Sequence, residues 1–523
     1  MSANQQNPKR MAIMLWICLP IFIGALDLTV VSAVLPQVIY DLEIPLQSGL
    51  DEAAWLVTGY LLAYSIALMF MGRLSDLYGR RKVFLISLTI FAIGSYLVAV
   101  GEAWPTRSTL RLIYSLASGR PDTAHVALVV LIAARMIQAF GAGAMVPVGM
   151  ALVGDMYPLG ERAKPLAVIA AVDTAGWVVG HLYGGIIVRY FDWRTIFWLN
   201  IPICLLAFVG IWRVLQRSRQ DRVVARMDWL GAVLIALSLV LLNLGLGTSV
   251  DMGGSTAVAD QSNLPVYALP LVIAAIFLFL FFLLRQARFT HPLIPLHLFR
   301  KQNFTLAVLA NFLVGLSLFV AIANVPLFIN TVVAQTLEQG AWESGWVLSA
   351  LTVPMAFAAI PGGWLTSRRG YRLPAVIGLL MGLIGFILMT AWQADTQYLV
   401  MLPHLLIGGI GFGLTIAPIA AAVIDSVPAE YRGTASALVI FFRLMGMTIG
   451  VSSMTSFGLY RADVLTTRLL PLNADLAETV RVGMEVAVQV VRETFLFAGV
   501  VCVIALLPVL YIRSININKG SEL

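Results

Sequence analysis

Gly72-Arg73-Leu74-Ser75-Asp76-Leu77-Tyr78-Gly79-Arg80-Arg81-Lys82 is a short, strongly charged turn wedged between two long apolar runs. A fainter copy returns 291 positions later as Gly363-Trp364-Leu365-Thr366-Ser367-Arg368-Arg369-Gly370-Tyr371-Arg372. Gly72 coincides with Gly363, Leu74 with Leu365, Gly79 with Gly370 and Arg81 with Arg372. A duplicated polar hinge between apolar runs predicts a transporter built from two related halves.

The apolar runs recur along all 523 residues. The chain is 60% hydrophobic and only 12% charged, against about 25% charged residues in soluble domains. Its mean hydropathy is +0.89. A bilayer span needs roughly 20 apolar residues, and its backbone must bond internally, so the runs predict membrane helices. The alternating ten-residue pattern of a membrane β-barrel is absent. We read fourteen spans, near 12–35, 53–72, 83–101, 124–147, 165–188, 195–214, 229–249, 265–284, 304–328, 343–363, 373–393, 399–422, 434–456 and 494–513.

With both termini in the cytoplasm, internal segments hold 23 Lys and Arg and external ones 9, and Arg135 and Arg443 lie within spans. The inverted orientation reverses that bias and is rejected. The net charge of +7 thus orients spans and does not indicate nucleic acid. Cys18, Cys204 and Cys502 all fall in spans and offer neither a disulfide framework nor a metal spacing. The first run follows Lys9 and Arg10 and is long enough to stay as a span rather than a cleaved leader.

Further along, the repeat continues at an offset of 270. Gly141 meets Gly411, Asp155 meets Asp425, Arg162 meets Arg432, Gly176 meets Gly446 and Gly180 meets Gly450. The offset changes because the first half carries about 21 extra residues, placed in the loop Glu102–Thr123. The expected fold is an all-α polytopic membrane protein of 14 transmembrane helices. Residues 1–215 form an N-terminal six-helix bundle and 303–523 a C-terminal one. Residues 216–302 hold two inserted helices with flanking basic loops. The halves run in the same direction, with a site between them.

On these residues the chain resembles the major facilitator superfamily and, within it, the fourteen-span drug:proton antiporters. The turn Gly72–Lys82 is similar to the signature between spans 2 and 3. Leu26-Asp27-Leu28-Thr29-Val30-Val31 with Leu35-Pro36 resembles the first-span motif. Arg135-Met136-Ile137-Gln138-Ala139-Phe140-Gly141 resembles the fourth-span motif, with Ala139 where Gly is usual. Gly176-Trp177-Val178-Val179-Gly180-His181-Leu182-Tyr183-Gly184-Gly185 resembles the fifth-span antiporter motif, with His181 in place of Pro. Trp193-Arg194 and Asn200-Ile201-Pro202 also match this subfamily. The resemblance implies a major-facilitator-type fold and proton-driven antiport, with Arg135 assisting proton transfer near the span-1 carboxylate.

Three buried charges are candidates for coupling. Asp27 lies deep in span 1, where an ionised carboxylate costs roughly 2.5–3.5 kcal/mol on insertion scales. It is read as a proton carrier that also attracts a cationic substrate, or else as a structural partner for a buried Arg or for Thr29 and Ser32. Arg135 in span 4 stays charged, so it can hold Asp27 ionised and ease proton release, or simply fix helix register. Asp173 in span 5 is a second proton site, a substrate contact, or a partner for a donor across the two halves. Its repeat counterpart is Arg443, read as a structural or gate element.

Gate residues are Gly72, Asp76, Gly79, Arg80, Arg81 and Asp155. Asp76 is expected at the N-terminus of the span that follows Arg432-Gly433, where the helix dipole favours an anion. Arg80 and Asp155 are expected to form a second contact. Gly176, Gly180, Gly184 and Gly185 form a small-residue stripe that lets another helix approach closely. Tyr60 and Tyr64, four apart on one helical face, are cavity candidates with Gln138 and Trp177, because aromatic faces bind cations and planar rings. The loop Gly458–Glu493, with an amphipathic stretch near Asp475–Arg492, is read as an external cap or a docking surface for a periplasmic adaptor protein.

The reading is proton-coupled efflux of hydrophobic, cationic small molecules across the bacterial inner membrane by alternating access. The alternative is a proton-coupled transporter of a specific metabolite, siderophore or lipid. No GxxxxGK[ST] loop is present, so the proton gradient is the expected energy source and no cofactor is needed. The five histidines are scattered and suggest no enzymatic cluster.

Overall fold

The computed structural model describes residues 3–43, 53, 55–116, 122–158, 161–215, 227–245, 268–333, 337–471 and 475–513. Its helices are α1 (Ala3–Asp41), α2 (Trp55–Tyr78), α3 (Arg80–Ala99), α4 (Trp104–Leu116), α5 (Thr123–Met156), α6 (Ala163–Tyr190), α7 (Arg194–Val214), α8 (Trp229–Gly245), α9 (Ala268–Arg288), α10 (Gln302–Phe328), α11 (Leu337–Arg369), α12 (Arg372–Met389), α13 (Tyr398–Asp425), α14 (Arg432–Leu469) and α15 (Leu476–Tyr511). Among the described residues thirteen helices are long and apolar enough to cross a membrane, and α8 supplies a shorter apolar fourteenth. The extra residues of the first half include the short helix α4.

The duplicated turn is duplicated in backbone conformation as well. Gly79 (φ 94°) separates α2 from α3, and Gly370 (φ 79°) separates α11 from α12; among the described residues these are the positive-φ glycines. An L-residue at such a positive φ costs on the order of 1–3 kcal/mol. The α3–α5 contact repeats as α12–α13. A Cβ on Gly141 would come within 2.4 Å of the Phe91 nitrogen, and one on Gly411 within 2.5 Å of the Gly382 nitrogen. These glycines let the paired helices touch backbone to backbone.

Corresponding helices pack alike. α1 lies on α6 and α10 on α14; α2 lies on α5 and α11 on α13. The halves meet through α2 against α14 and α6 against α11. The inserted pair α8–α9 packs on itself and touches α2. It is clamped by the buried Asp228, which caps α8 at Gly231 N (2.9 Å) and takes bonds from Arg285 and Gln286 at 2.8 Å each.

One expectation is corrected. The segment Gly458–Glu493 is no loop: α14 runs on to Leu469 and α15 starts at Leu476. At 1.5 Å per residue the 38-residue α14 is about 57 Å long, nearly twice a hydrocarbon core. Leu465, Val482, Val486 and Val490 bury against one another along this extension. Arg461 and Glu493 clasp it with two 2.6 Å bonds. The helical spacing of these apolar residues makes two amphipathic helices that shield each other outside the apolar spans.

Candidate functional site

The first site is built on α1, α5, α3 and α7. Asp27 (0% exposed) receives Arg135 Nη1 at 2.5 Å, Gln138 Nε2 at 3.0 Å and Asn200 Nδ2 at 3.2 Å. Arg135 Nη1 also donates to Gln138 Oε1 at 2.6 Å, and Nη2 to the Asp27 carbonyl at 3.2 Å. Gln138 reaches Ser95 Oγ at 2.7 Å. The Arg135 guanidinium lies 4.1 Å from the Tyr60 ring centroid. A buried carboxylate and guanidinium are tolerated only when paired and bonded in this way. Protonating Asp27 removes half of that pair, so the site can exist in two charge states with different packing demands.

Glycines bring α6 onto α1 beside Asp27. A Cβ on Gly176 would sit 2.6 Å from the Phe22 carbonyl oxygen, and one on Gly180 2.0 Å from Thr29 Oγ1. Thr29 donates to the Trp177 carbonyl at 3.0 Å. Trp177 thus contributes backbone here, with its side chain partly buried. Gly184 is buried in the same helix. The packing of Gly185 and the side chain of His181 lie outside the described residues.

The second site joins the halves. Arg443 Nη2 of α14 meets Asp173 Oδ2 of α6 at 3.4 Å. The Tyr64 ring stacks on Tyr60 with centroids 6.4 Å apart and planes 17° apart. Both tyrosines are buried, and Tyr60 sets this stack against the Arg135 guanidinium.

At the end that carries the charged turns, Asp76 accepts from Gly433 N at 2.8 Å, Thr434 N at 2.9 Å and Thr434 Oγ1 at 2.9 Å. It therefore caps α14 of the other half, and Gly72 lets α14 close in: a Cβ there would sit 2.7 Å from the Gly433 carbonyl oxygen. Arg80 bonds Asp155 at 2.9 Å, Asp76 at 3.3 Å and the Ala429 carbonyl at 2.8 Å. Arg81 donates to the Trp212 carbonyl at 3.0 Å, tying the turn to its own half.

Two reciprocal ion pairs complete the latch. Asp155 pairs with Arg432 at 2.9 Å, and its repeat mate Asp425 pairs with Arg162 at 2.8 Å. Asp425 also accepts from Tyr371 at 2.6 Å. Burial and the Asp425 carboxylate push the Tyr371 phenol well up, so it stays a donor. Tyr371 stands where the first half has Arg80.

Sequence reasoning did not single out Ser95 or Asn200 as partners of Asp27. Both are buried polar residues in apolar helices, and Asn200 precedes a helix-interior Pro202; that intramembrane polarity was the available signal. Arg162, Asp425 and Arg432 were legible as repeat mates, but not as cross-pairs.

Two like bundles, latched at one end around buried carboxylates, define a two-half membrane transporter. The chain belongs to the Major Facilitator Superfamily, whose family profile matches residues 17–451. It is 34% identical over 456 residues to a triacylglyceride transporter of Mycolicibacterium hassiacum, covering 85% of this chain and 78% of that one. A triacylglyceride transporter of Mycobacterium tuberculosis is 32% identical over 504 residues, covering 93% and 91%. In fold it is similar to a proton:xylose symporter (TM-score 0.60, 15% identity, 97% of each chain) and to a human organic anion transporter (TM-score 0.54, 13% identity, 95% and 99%).

Proposed function

We propose that this transporter moves an apolar, acylglyceride-class lipid out across the cytoplasmic membrane, driven by protons. The cargo reading rests on one observation: relatives matching 85–93% of the chain at 32–34% identity carry the name triacylglyceride transporter. It replaces cationic drug efflux as the leading reading, and drugs remain the rival cargo. The basic-residue bias supports cytoplasmic termini, which puts the latch on the cytoplasmic face.

The coupling reading rests on Asp27. Arg135 favours its ionised form, and proton entry from outside neutralises it. Arg135 then loses its counter-ion, and the Asp27–Arg135–Gln138–Asn200 contacts must rearrange. The Tyr60–Tyr64 stack transmits that change to the Asp173–Arg443 pair between the halves. Protonation drives transport only if it favours one state of the latch over the other.

The test is transfer of a fluorescent triacylglyceride between leaflets or to acceptor vesicles, in proteoliposomes with an imposed pH gradient. We expect gradient-dependent transfer by the wild type and gradient-independent, slow transfer by Asp27→Asn. Undiminished gradient response in Asp27→Asn refutes the coupling. Export of ethidium with no lipid transfer refutes the cargo.

A further inference from the structure

A cavity of about 240 Å³ lies where the inserted helix α9 and the Leu296–Arg300 turn lean on the seam between the halves. Its lining is wholly apolar and includes Met69 of α2, Phe282 of α9, Ile294, Phe299, and Phe441 and Phe442 of α14. Neither the coupling site nor the latch uses it. One turn from Met69 on the same helix face stands Arg73, which is 3% exposed. Its Nε and Nη1 have no hydrogen-bond partner among the described residues. Its guanidinium lies 5.4 Å from the centroid of the Tyr431 ring. Tyr431 also meets His297, with ring centroids 5.4 Å apart, and His297 follows the cavity-lining Leu296.

An apolar slot one helical turn from a buried guanidinium with two unbonded nitrogens offers an amphipathic anion both of its partners. A guanidinium taken out of water without an anion is strongly unfavourable. Its planar fork matches a carboxylate. The slot is smaller than the roughly 300–1,000 Å³ of drug-sized pockets, which suits one hydrocarbon chain. The near-complete burial of Arg73 suits a small head group over a phosphodiester.

We propose that a long-chain fatty acid binds here, with its chain in the cavity and its carboxylate on Arg73. Arg73 belongs to α2 of one half, and Tyr431 immediately precedes α14 of the other. A carboxylate between them bridges the halves three residues from Asp76, so occupancy holds the latch closed. The inference stands on the seam geometry and is independent of the cargo reading.

Equilibrium binding of radiolabelled palmitate to the full-length protein in phosphatidylcholine nanodiscs tests it. We expect one palmitate per chain, bound at least tenfold more tightly than palmitoyl methyl ester. Arg73→Gln loses that preference, and Leu283→Trp, which fills the slot (Leu283 lines it), weakens palmitate tenfold with Arg73 intact. Equal binding of acid and ester by the wild type overturns the proposal. So does wild-type affinity in a monodisperse Arg73→Gln. Full displacement by equimolar phosphatidylglycerol assigns the site to a phospholipid head group and overturns it too. Should Arg73→Gln not fold, wild-type affinity in Leu283→Trp is equally decisive against it.

Discussion

The latch is asymmetric in one respect that can be engineered. Asp76 caps α14 with two backbone bonds and one hydroxyl bond, and its side chain is fully buried. Its repeat mate is Ser367, which donates to the Gly363 carbonyl of its own helix at 3.1 Å. The facing terminus of α6 has no side-chain cap. Hydrogen bonds to a charged group contribute about 1.5–3 kcal/mol each. Allowing for rehydration when the latch opens, losing the Asp76 set in Asp76→Ala costs the closed state about 3 kcal/mol, or roughly 150-fold in the closed-to-open ratio. Adding Ser367→Asp places a carboxylate opposite Ala163 and Lys164, at the second contact of the same form. Gly363 already approaches there: a Cβ on it would lie 2.6 Å from the Ala163 carbonyl oxygen. One or two bonds restored should return about tenfold of the ratio. Nitroxide labels at Tyr78 and Arg369, exposed at the ends of α2 and α11, would report the distance distribution in a background lacking the native cysteines. An unchanged distribution in Asp76→Ala, or a double variant indistinguishable from it, refutes the reasoning.

Other substitutions test the remaining contacts. Asp173→Asn with Arg443→Gln should be more stable than Arg443→Gln alone, because the single change strands a buried carboxylate; a thermal-unfolding double-mutant cycle measures this. Gly180→Ala should destabilise by about 1–3 kcal/mol through collision with Thr29, read as a lower melting temperature in detergent. Arg135→Lys should keep the protein folded but lower gradient-driven transport, since a point ammonium cannot reproduce the two-pronged hold of Nη1 on the Asp27 carboxylate and Gln138 and of Nη2 on the Asp27 carbonyl. Gly79→Ala should cost on the order of 1–3 kcal/mol through its φ of 94° and ψ of 133°, detectable as reduced thermostability.

Much of the architecture was legible because hydropathy marks spans and a repeat needs only one chain to be seen. Gly79 and Gly370 were legible as repeat mates, though not their positive φ, and Asp76 sits at the start of α14 as its position implied. What stayed hidden was lateral register. Asn200 reaches Asp27 from 173 residues away, and apolar helices facing lipid on one side and protein on the other look alike in composition. The start of α15 was legible as the amphipathic stretch near Asp475–Arg492, whereas the run of α14 on to Leu469 was hidden by the polar residues that face outward along it. The seam cavity was out of reach, since it is formed by four separate segments.

The Asp173–Arg443 pair spans 270 residues, the offset of the repeat itself. The two residues are therefore the same position in each half, meeting on the pseudo-twofold axis. In a symmetric dimer of unfused halves, that position would face its own copy, acid against acid or base against base. The reciprocal pairs Asp155–Arg432 and Asp425–Arg162 would work equally well in such a dimer, since each half supplies one acid and one base. The axial pair could arise only once the two copies were free to differ. It records the moment when a symmetric assembly gained a front and a back.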